Sequence, residues 1–135
     1  MKISKRLMIF AIAAVLAVFS AGCNFSYTSA EIIEAIMTES IDEYGIPGEA
    51  VEFYPSDAPM LYTSAILQNA PDHTQIRIVW AYVTGKQVMD EITIDSGTIS
   101  DRYIYSSFEP SSLLPEGDYR VDYFIDDHDT PDATV

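Results

Sequence analysis

The stretch Leu113-Leu-Pro-Glu-Gly-Asp-Tyr-Arg-Val-Asp-Tyr-Phe-Ile125 decides the fold of this chain. Its first half gathers turn-forming residues around Pro115 and Gly117. Its second half alternates, so that one face of an extended chain would carry Tyr119, Val121, Tyr123 and Ile125. A turn cluster that leads directly into this alternation predicts a corner followed by a central β-strand.

Short apolar runs of the same kind precede this stretch and alternate with turn clusters at intervals of about ten residues. The other predicted strands are 49–54, 61–68, 75–83, 88–95, 102–108 and 133–135. Thr84-Gly85-Lys86-Gln87 predicts a two-residue hairpin of type II′ between the strands 75–83 and 88–95. Seven short strands without helices between them are typical of an all-β sandwich, here over residues 49–135.

The pattern Leu113-x-Pro115-x-x-x-Tyr119 is similar to the turn before strand F of fibronectin type III domains. The resemblance implies that the Tyr119 hydroxyl bonds back to the chain and locks the corner. Trp80 departs from that family, whose core Trp lies on strand B, because the hairpin favours strand C, as in immunoglobulin domains. We therefore expect a mainly β protein, an immunoglobulin-like seven-stranded β-sandwich preceded by one amphipathic α-helix.

That helix is predicted from apolar residues that recur at spacings of three and four ahead of the strands. They are Ile33, Ile36, Met37, Ile41 and Tyr44. Thr28 and Glu31 fit a capping box at its start, and Gly45 followed by Pro47 is a typical helix end. The pattern predicts a helix over 29–45, which either packs on the domain or binds a partner.

The first 22 residues have the layout of a secretory signal. Lys2, Lys5 and Arg6 precede the apolar run 7–19, and small residues follow it. A helix that spans a bilayer needs roughly 20 apolar residues, so this run is short for a permanent anchor. We predict a signal peptide over 1–22 and a tether over 23–28.

The tail Ser20-Ala21-Gly22-Cys23 resembles the lipobox of bacterial lipoproteins, although Ser20 stands where that family usually has Leu. The resemblance implies that the Cys23 thiol receives a diacylglycerol. Cys23 is the only cysteine, so no intramolecular disulfide can form. Simple secretion and an uncleaved anchor are the alternatives. The chain is also similar to small exported lipoproteins of helix-plus-sandwich type, whose activity is not established.

The charge of the chain excludes some partners. The formal net charge is −14, and residues 23–135 carry 4 basic and 21 acidic residues, a charge of −17. Such a surface repels nucleic-acid phosphates and anionic lipid headgroups. We therefore expect no nucleic-acid binding. The signal-like segment 1–22 and the lipobox-like tail instead imply a location outside the cytoplasm, with the chain held at the cell membrane by its N-terminal lipid.

No motif of the chain indicates catalysis. There are two His residues, no Ser in a nucleophile elbow, no phosphate-binding Gly loop and no zinc spacing. Nothing singles out a carboxylate pair for glycoside hydrolysis among the 21 acids. We expect no enzyme and no established cofactor.

One end of the predicted sandwich would collect acidic loops. Its members are Asp72, His73, Asp95, Asp101, Asp126, Asp127, His128, Asp129 and Asp132. Clustered carboxylates suit calcium, and Asp126, Asp127 and Asp129 are its candidate ligands. The His pair would instead favour a transition metal. The alternative is a solvated loop that keeps an edge soluble.

Aromatic residues supply a second candidate surface. Tyr62, Tyr103, Tyr105 and Phe124 either form an exposed patch for a sugar or a protein, or pack within the sheets. The sequence as a whole predicts a membrane-anchored extracytoplasmic lipoprotein that acts as a binding or interaction module for a protein or glycan. The alternatives are a structural subunit of an envelope complex and a cell-surface hydrolase.

Overall fold

The protein is mainly β, with two antiparallel sheets over residues 29–135, the part that the computed structural model describes. The strands are β1 (Glu31–Thr38), β2 (Leu61–Gln68), β3 (Gln75–Tyr82), β4 (Gln87–Asp95), β5 (Arg102–Phe108), β6 (Tyr119–Ile125) and β7 (Ala133–Thr134). One sheet has the order β1-β2-β5 and the other the order β4-β3-β6-β7. The predicted signal peptide 1–22, the tether 23–28 and the lipidation site Cys23 lie outside the described residues.

The strands from β2 to β7 begin and end within one residue of their predicted positions. Alternation identified them because each strand buries one face against the opposite sheet. The hairpin between β3 and β4 is confirmed, but its predicted turn type is wrong. Tyr82 pairs with Gln87, and the residue with positive φ is Lys86 rather than Gly85. The loop is therefore four residues long.

The predicted helix over 29–45 is wrong, because β1 occupies its first half. A bulge explains the misleading pattern. Between Ile33 and Ile36 the register with β2 shifts by one residue, and Glu34 adopts a φ of 51°. Because of the extra residue, the side chain that faces the core is that of Ile32 before the bulge and that of Met37 after it. Met37 lies opposite Thr63 on β2. An alternation interrupted in this way imitates helical spacing.

The second half of the predicted helix is a turn that folds back on β1. Ile41 bridges Pro47 and Thr38 bridges Ala50, so Gly45 and Pro47 belong to the turn instead of ending a helix. The Asp42 carboxylate accepts the backbone N–H groups of Tyr44 and Ile46, each at 2.9 Å. Such an Asx turn competes with helix formation.

The predicted strand 49–54 is also wrong. Only Ala50 pairs there, as the single bridge to Thr38, and the chain then runs irregularly to β2. Seven strands are present as predicted, but the first is β1 rather than 49–54. The β domain therefore begins about twenty residues earlier than the predicted boundary at 49, and β1 protects an edge of β2 that would otherwise be unpaired.

Two buried hydrogen bonds join the sheets across the core, and a third joins β2 to β1. The Thr63 hydroxyl donates to the carbonyl of Ile36 at 3.0 Å and accepts from the Tyr123 hydroxyl at 2.7 Å. The indole N–H of Trp80 donates to Ser106 Oγ at 3.0 Å. These contacts connect β6 to β2 and β3 to β5, and they satisfy polar groups that burial would otherwise penalise.

The corner before β6 forms as predicted. The Tyr119 hydroxyl donates to the carbonyl of Pro115 at 2.5 Å. The ring of Tyr119 also contacts that of Tyr82, with centroids 4.9 Å apart. Gly117 has a φ of 147°, and a Cβ there would meet Thr84. The corner is thus fixed against the β3–β4 loop, and this positions the wall of the groove described below.

Candidate functional site

The acidic loops meet at one end of the two sheets, here called the acidic end, formed by the loops 69–74, 96–101 and 126–132. The N–H of His73 donates to the carbonyl of Gly97 at 2.6 Å. The N–H of Gln75 donates to the carboxylate of Asp126 at 2.9 Å. The structure therefore brings together the three loops that the sequence placed at one end.

The carboxylates of this end are used mainly as caps for backbone N–H groups. Asp126 accepts from Gln75, and Asp132 accepts from the N–H of Ile125 at 2.7 Å. Asp95 accepts from the N–H of Gly97 at 2.6 Å, and this hydrogen bond lowers the pKa of that carboxyl. Their principal contacts are therefore with the turns of their own chain.

The two His residues of the acidic end lie beside carboxylates. His73 Nδ1 is 3.2 Å from Asp95 and His128 Nδ1 is 2.8 Å from Asp132. No group of three or more potential ligands in residues 29–135 is arranged to hold a metal ion. The geometry therefore gives no support to a calcium site at Asp126, Asp127 and Asp129, or to a transition-metal site with the His pair.

The aromatic residues singled out from the sequence do not form an exposed patch. Phe124 is buried, and the Arg77 guanidinium lies 4.0 Å from the centre of its ring. Tyr62, Tyr103 and Tyr105 are half-buried, and a Cβ on Gly45 would meet the ring of Tyr105. The turn around Gly45 therefore packs on the outer face of the three-stranded sheet.

A groove lies at the opposite end of the sheets, between the segments 51–56 and 114–119, and its volume is about 730 Å³. Its apolar part includes Met37 at the end of β1, Leu61 at the start of β2 and Leu114. Pockets for ligands are commonly about 300 to 1,000 Å³ and mostly apolar. The groove falls within this range of size, and its lining combines apolar and acidic residues, so it is the candidate binding site of the described residues.

Hydrogen bonds hold both walls of the groove. In one wall the Tyr54 hydroxyl donates to the carbonyl of Thr38 at 2.6 Å, and the N–H of Val51 donates to the carbonyl of Met37 at 3.0 Å. The N–H of Leu114 in the other wall donates to the carbonyl of Ser56 at 2.8 Å. The walls are therefore tied to each other and to β1, so that the groove is formed before any ligand arrives.

The β3–β4 side of the molecule supports the second wall. The Tyr82 hydroxyl donates to the carbonyl of Glu116 at 2.8 Å, and the N–H of Asp118 donates to Thr84 Oγ1 at 2.9 Å. These bonds use backbone atoms of Glu116 and Asp118. The exposed side chains of both residues are left to face solvent at the groove.

The charge of the groove is entirely negative. Its lining residues include Glu52, Glu116 and Asp118 and no Lys, Arg or His. Phe53 lies at the same rim with 86% of its surface exposed, although large apolar side chains are usually covered. The groove thus combines an exposed aromatic ring with three solvated carboxylates.

The sequence did not indicate this groove. Its residues come from three segments that are distant along the chain, and one of them, 51–56, overlaps the predicted strand 49–54. Phe53 gave no separate signal, because Val51 and Phe53 are two residues apart and fit the alternation of a strand. The Asp and His residues that the sequence suggested as metal ligands lie at the other end of the sheets, the acidic end.

Among residues 29–135, no helix is long and apolar enough to cross a membrane. Comparisons of the chain with models of protein families, with curated proteins and with solved structures found no match. The geometry of the groove and the sequence ahead of β1 are therefore the features that point to a function.

Proposed function

We propose that this chain is an extracytoplasmic lipoprotein, anchored to the cell membrane through Cys23, whose β domain is a binding module. The groove between 51–56 and 114–119 is its binding site. The signal-like segment 1–22 and the lipobox-like tail before Cys23 support the location. The preformed groove supports binding as the role.

We further propose that the domain is an immunoglobulin-like sandwich, with β1 to β7 as strands A, B, C, C′, E, F and G. The order β1-β2-β5 opposite β4-β3-β6-β7 supports this assignment, since the variable type of that fold adds C′ to the sheet of C, F and G. The Tyr119 corner before β6 is a second supporting feature. Trp80 would then lie on strand C.

The exposed ring of Phe53 beside the apolar floor of the groove is the observation that carries the binding role. An exposed Phe at the rim of a concave apolar surface costs solubility unless a partner covers it. The walls are held by the chain itself, so a partner would not have to order them. A binding role accounts for both the exposed ring of Phe53 and the preformed walls of the groove.

Site-specific crosslinking tests the binding role. A photoreactive amino acid is placed at Phe53 of the acylated protein in intact cells, and the matched control carries it at Val88, which is 60% exposed on β4. We expect a discrete adduct from position 53 that is absent from position 88. Equal labelling from both positions, or none from position 53, would contradict a binding role for the groove.

Fatty-acid labelling tests the anchor separately. In a bacterial host, the chain should incorporate labelled fatty acid and fractionate with membranes, while Cys23→Ala should incorporate none. Release of the unsubstituted chain into the medium without label would show simple secretion and refute the lipid anchor.

A further inference from the structure

Resting on the proposed function of the groove, we infer that its ligand is a cationic polypeptide segment, in which Lys or Arg residues alternate with apolar ones. The partner is a protein that approaches from the side away from the membrane. The binding role alone leaves the class of ligand open between protein and glycan.

Charge complementarity is the first argument. Glu52, Glu116 and Asp118 are three carboxylates on one groove without a basic residue in its lining. Phe53, whose ring is exposed at the rim, offers a face that attracts a Lys or Arg cation. Opposite charge at an interface speeds encounter and rejects anionic competitors.

The apolar floor is the second argument. Leu61 and Leu114 are buried beneath the groove, and Met37 lies partly buried next to them. A purely cationic ligand would leave the exposed ring of Phe53 and the partly exposed Met37 in water, and a purely apolar one would leave the carboxylates without partners. A segment that alternates the two kinds of side chain matches both parts of the lining.

The position of the groove argues against the anchoring membrane as its ligand. Ser29 lies at the acidic end, where its hydroxyl donates to the carbonyl of Asn69 at 3.2 Å, and β1 runs from there to the groove. The six residues from Cys23 to Ser29 span at most about 20 Å. Eight residues of β1 add roughly 26 Å, so the groove lies at the far end from the attachment point.

Calorimetric titration of the acylated full-length protein, held in detergent micelles, tests the inference with three probes. The first is an eight-residue peptide of alternating Lys and Leu, the second its counterpart of alternating Glu and Leu, and the third a neutral oligosaccharide. The groove variant is Glu52→Gln with Glu116→Gln and Asp118→Asn. The control variant removes the same charge at the acidic end by Asp72→Asn, Asp127→Asn and Asp129→Asn.

We expect the Lys-Leu peptide to bind the unsubstituted protein, and the groove variant to bind it about tenfold more weakly, as three exposed ion pairs would allow. The acidic-end control should keep the original affinity, and the Glu-Leu peptide should not bind. Equal weakening in both variants would show general attraction to an acidic protein and overturn the inference.

The remaining outcomes show whether only the cationic ligand is wrong or whether the groove is not a binding site. Binding of the oligosaccharide or the Glu-Leu peptide, weakened by Phe53→Ala, without binding of the Lys-Leu peptide would overturn the cationic ligand and keep the groove as a binding site. Binding of no probe, together with no adduct from position 53 in cells, would overturn both.

Discussion

A single hydroxyl, that of Thr63, connects three strands in the core. It donates to the carbonyl of Ile36 on β1 and accepts from Tyr123 on β6. Residues 29–135 contain no cysteine, so no disulfide joins their two sheets, and these buried hydrogen bonds perform part of that task. The stability of the domain should therefore depend on individual hydroxyl groups to an unusual degree.

Thr63→Val tests this dependence, because it keeps the shape of the side chain and removes its hydroxyl. It would remove the hydrogen bond to the carbonyl of Ile36 and leave the Tyr123 hydroxyl without the partner that it has in the core. We expect the free energy of unfolding to fall by about 2 kcal/mol in urea titrations. Thr93→Val, at an exposed position of β4, should change it by less than about 0.5 kcal/mol. Equal effects would contradict the role of Thr63.

Tyr123 should also make the stability depend on alkaline pH. Burial raises the pKa of its phenol well above the ordinary value of about 10, whereas in the unfolded chain the phenol ionises near that value. The unfolded state therefore loses this proton first, so stability is complete below about pH 10 and falls as the pH rises toward the folded pKa.

Unfolding measured between about pH 8 and pH 11 would detect this loss. Tyr123 alone contributes a slope of up to about 1.4 kcal/mol per pH unit above pH 10. Tyr123→Phe should show a shallower dependence than the unsubstituted chain, even if its stability at neutral pH is lower. Identical slopes in the two proteins would show that Tyr123 ionises as freely in the folded state as in the unfolded one.

At the scale of secondary-structure elements, β1 is where the observed structure differs from the predicted helix. In that helix Tyr44 belonged to the apolar face and Ile32 did not. In the strand Ile32 is 7% exposed within the core, and Tyr44 is 69% exposed. The predicted helix and the observed strand therefore predict opposite orders for the loss of stability when these two residues are substituted.

Alanine substitution of both residues distinguishes the structures. We expect Ile32→Ala to lower the free energy of unfolding by about 2 to 4 kcal/mol, since it opens a cavity in the core. Tyr44→Ala should lower it by less than about 0.5 kcal/mol. The reverse order in denaturant titrations would favour a helix over 29–45.

The turn 39–50 makes its own prediction through Gly45. Its φ is 82°, and an added Cβ would meet the ring of Tyr105. Gly97 also has a positive φ, of 64°, but nothing lies within 4 Å of a Cβ there. We expect Gly45→Ala to lower the midpoint of thermal unfolding clearly more than Gly97→Ala does, because only the former adds a steric clash to the backbone strain.

β2 to β7 and the Tyr119 corner could be predicted from the sequence, because the signals for them are local. These signals are the alternation of apolar residues, the turn residues and the spacing from Leu113 to Tyr119. The prediction failed at β1, where the bulge at Glu34 breaks the period of two and produces the spacing of a helix. The position of the acidic end could also be predicted, whereas the hydrogen bond that Asp126 accepts from the N–H of Gln75 could not, because it depends on three-dimensional contacts. The groove could not be predicted from the sequence, because the connections that lead into β2 and into β6 form it only after the sheets pack.

At the scale of the whole molecule, the two ends have different tasks. The acidic end receives the chain at Ser29 and directs its carboxylates mainly to its own turns. The opposite end carries the groove, the exposed Phe53 and carboxylates whose side chains face solvent. In the proposed arrangement the acidic end lies nearer the membrane, because the chain enters the domain there at Ser29, and the groove is presented outward.

Hydrogen–deuterium exchange of the acylated protein in nanodiscs, with and without the Lys-Leu peptide, tests the central claim most directly. The claim is that the groove, and no other surface, receives the ligand. We predict that the peptide slows exchange in 51–56 and 113–119 and leaves 126–132 unchanged. Slowed exchange confined to 126–132, or spread evenly over the acidic surface, would contradict the claim.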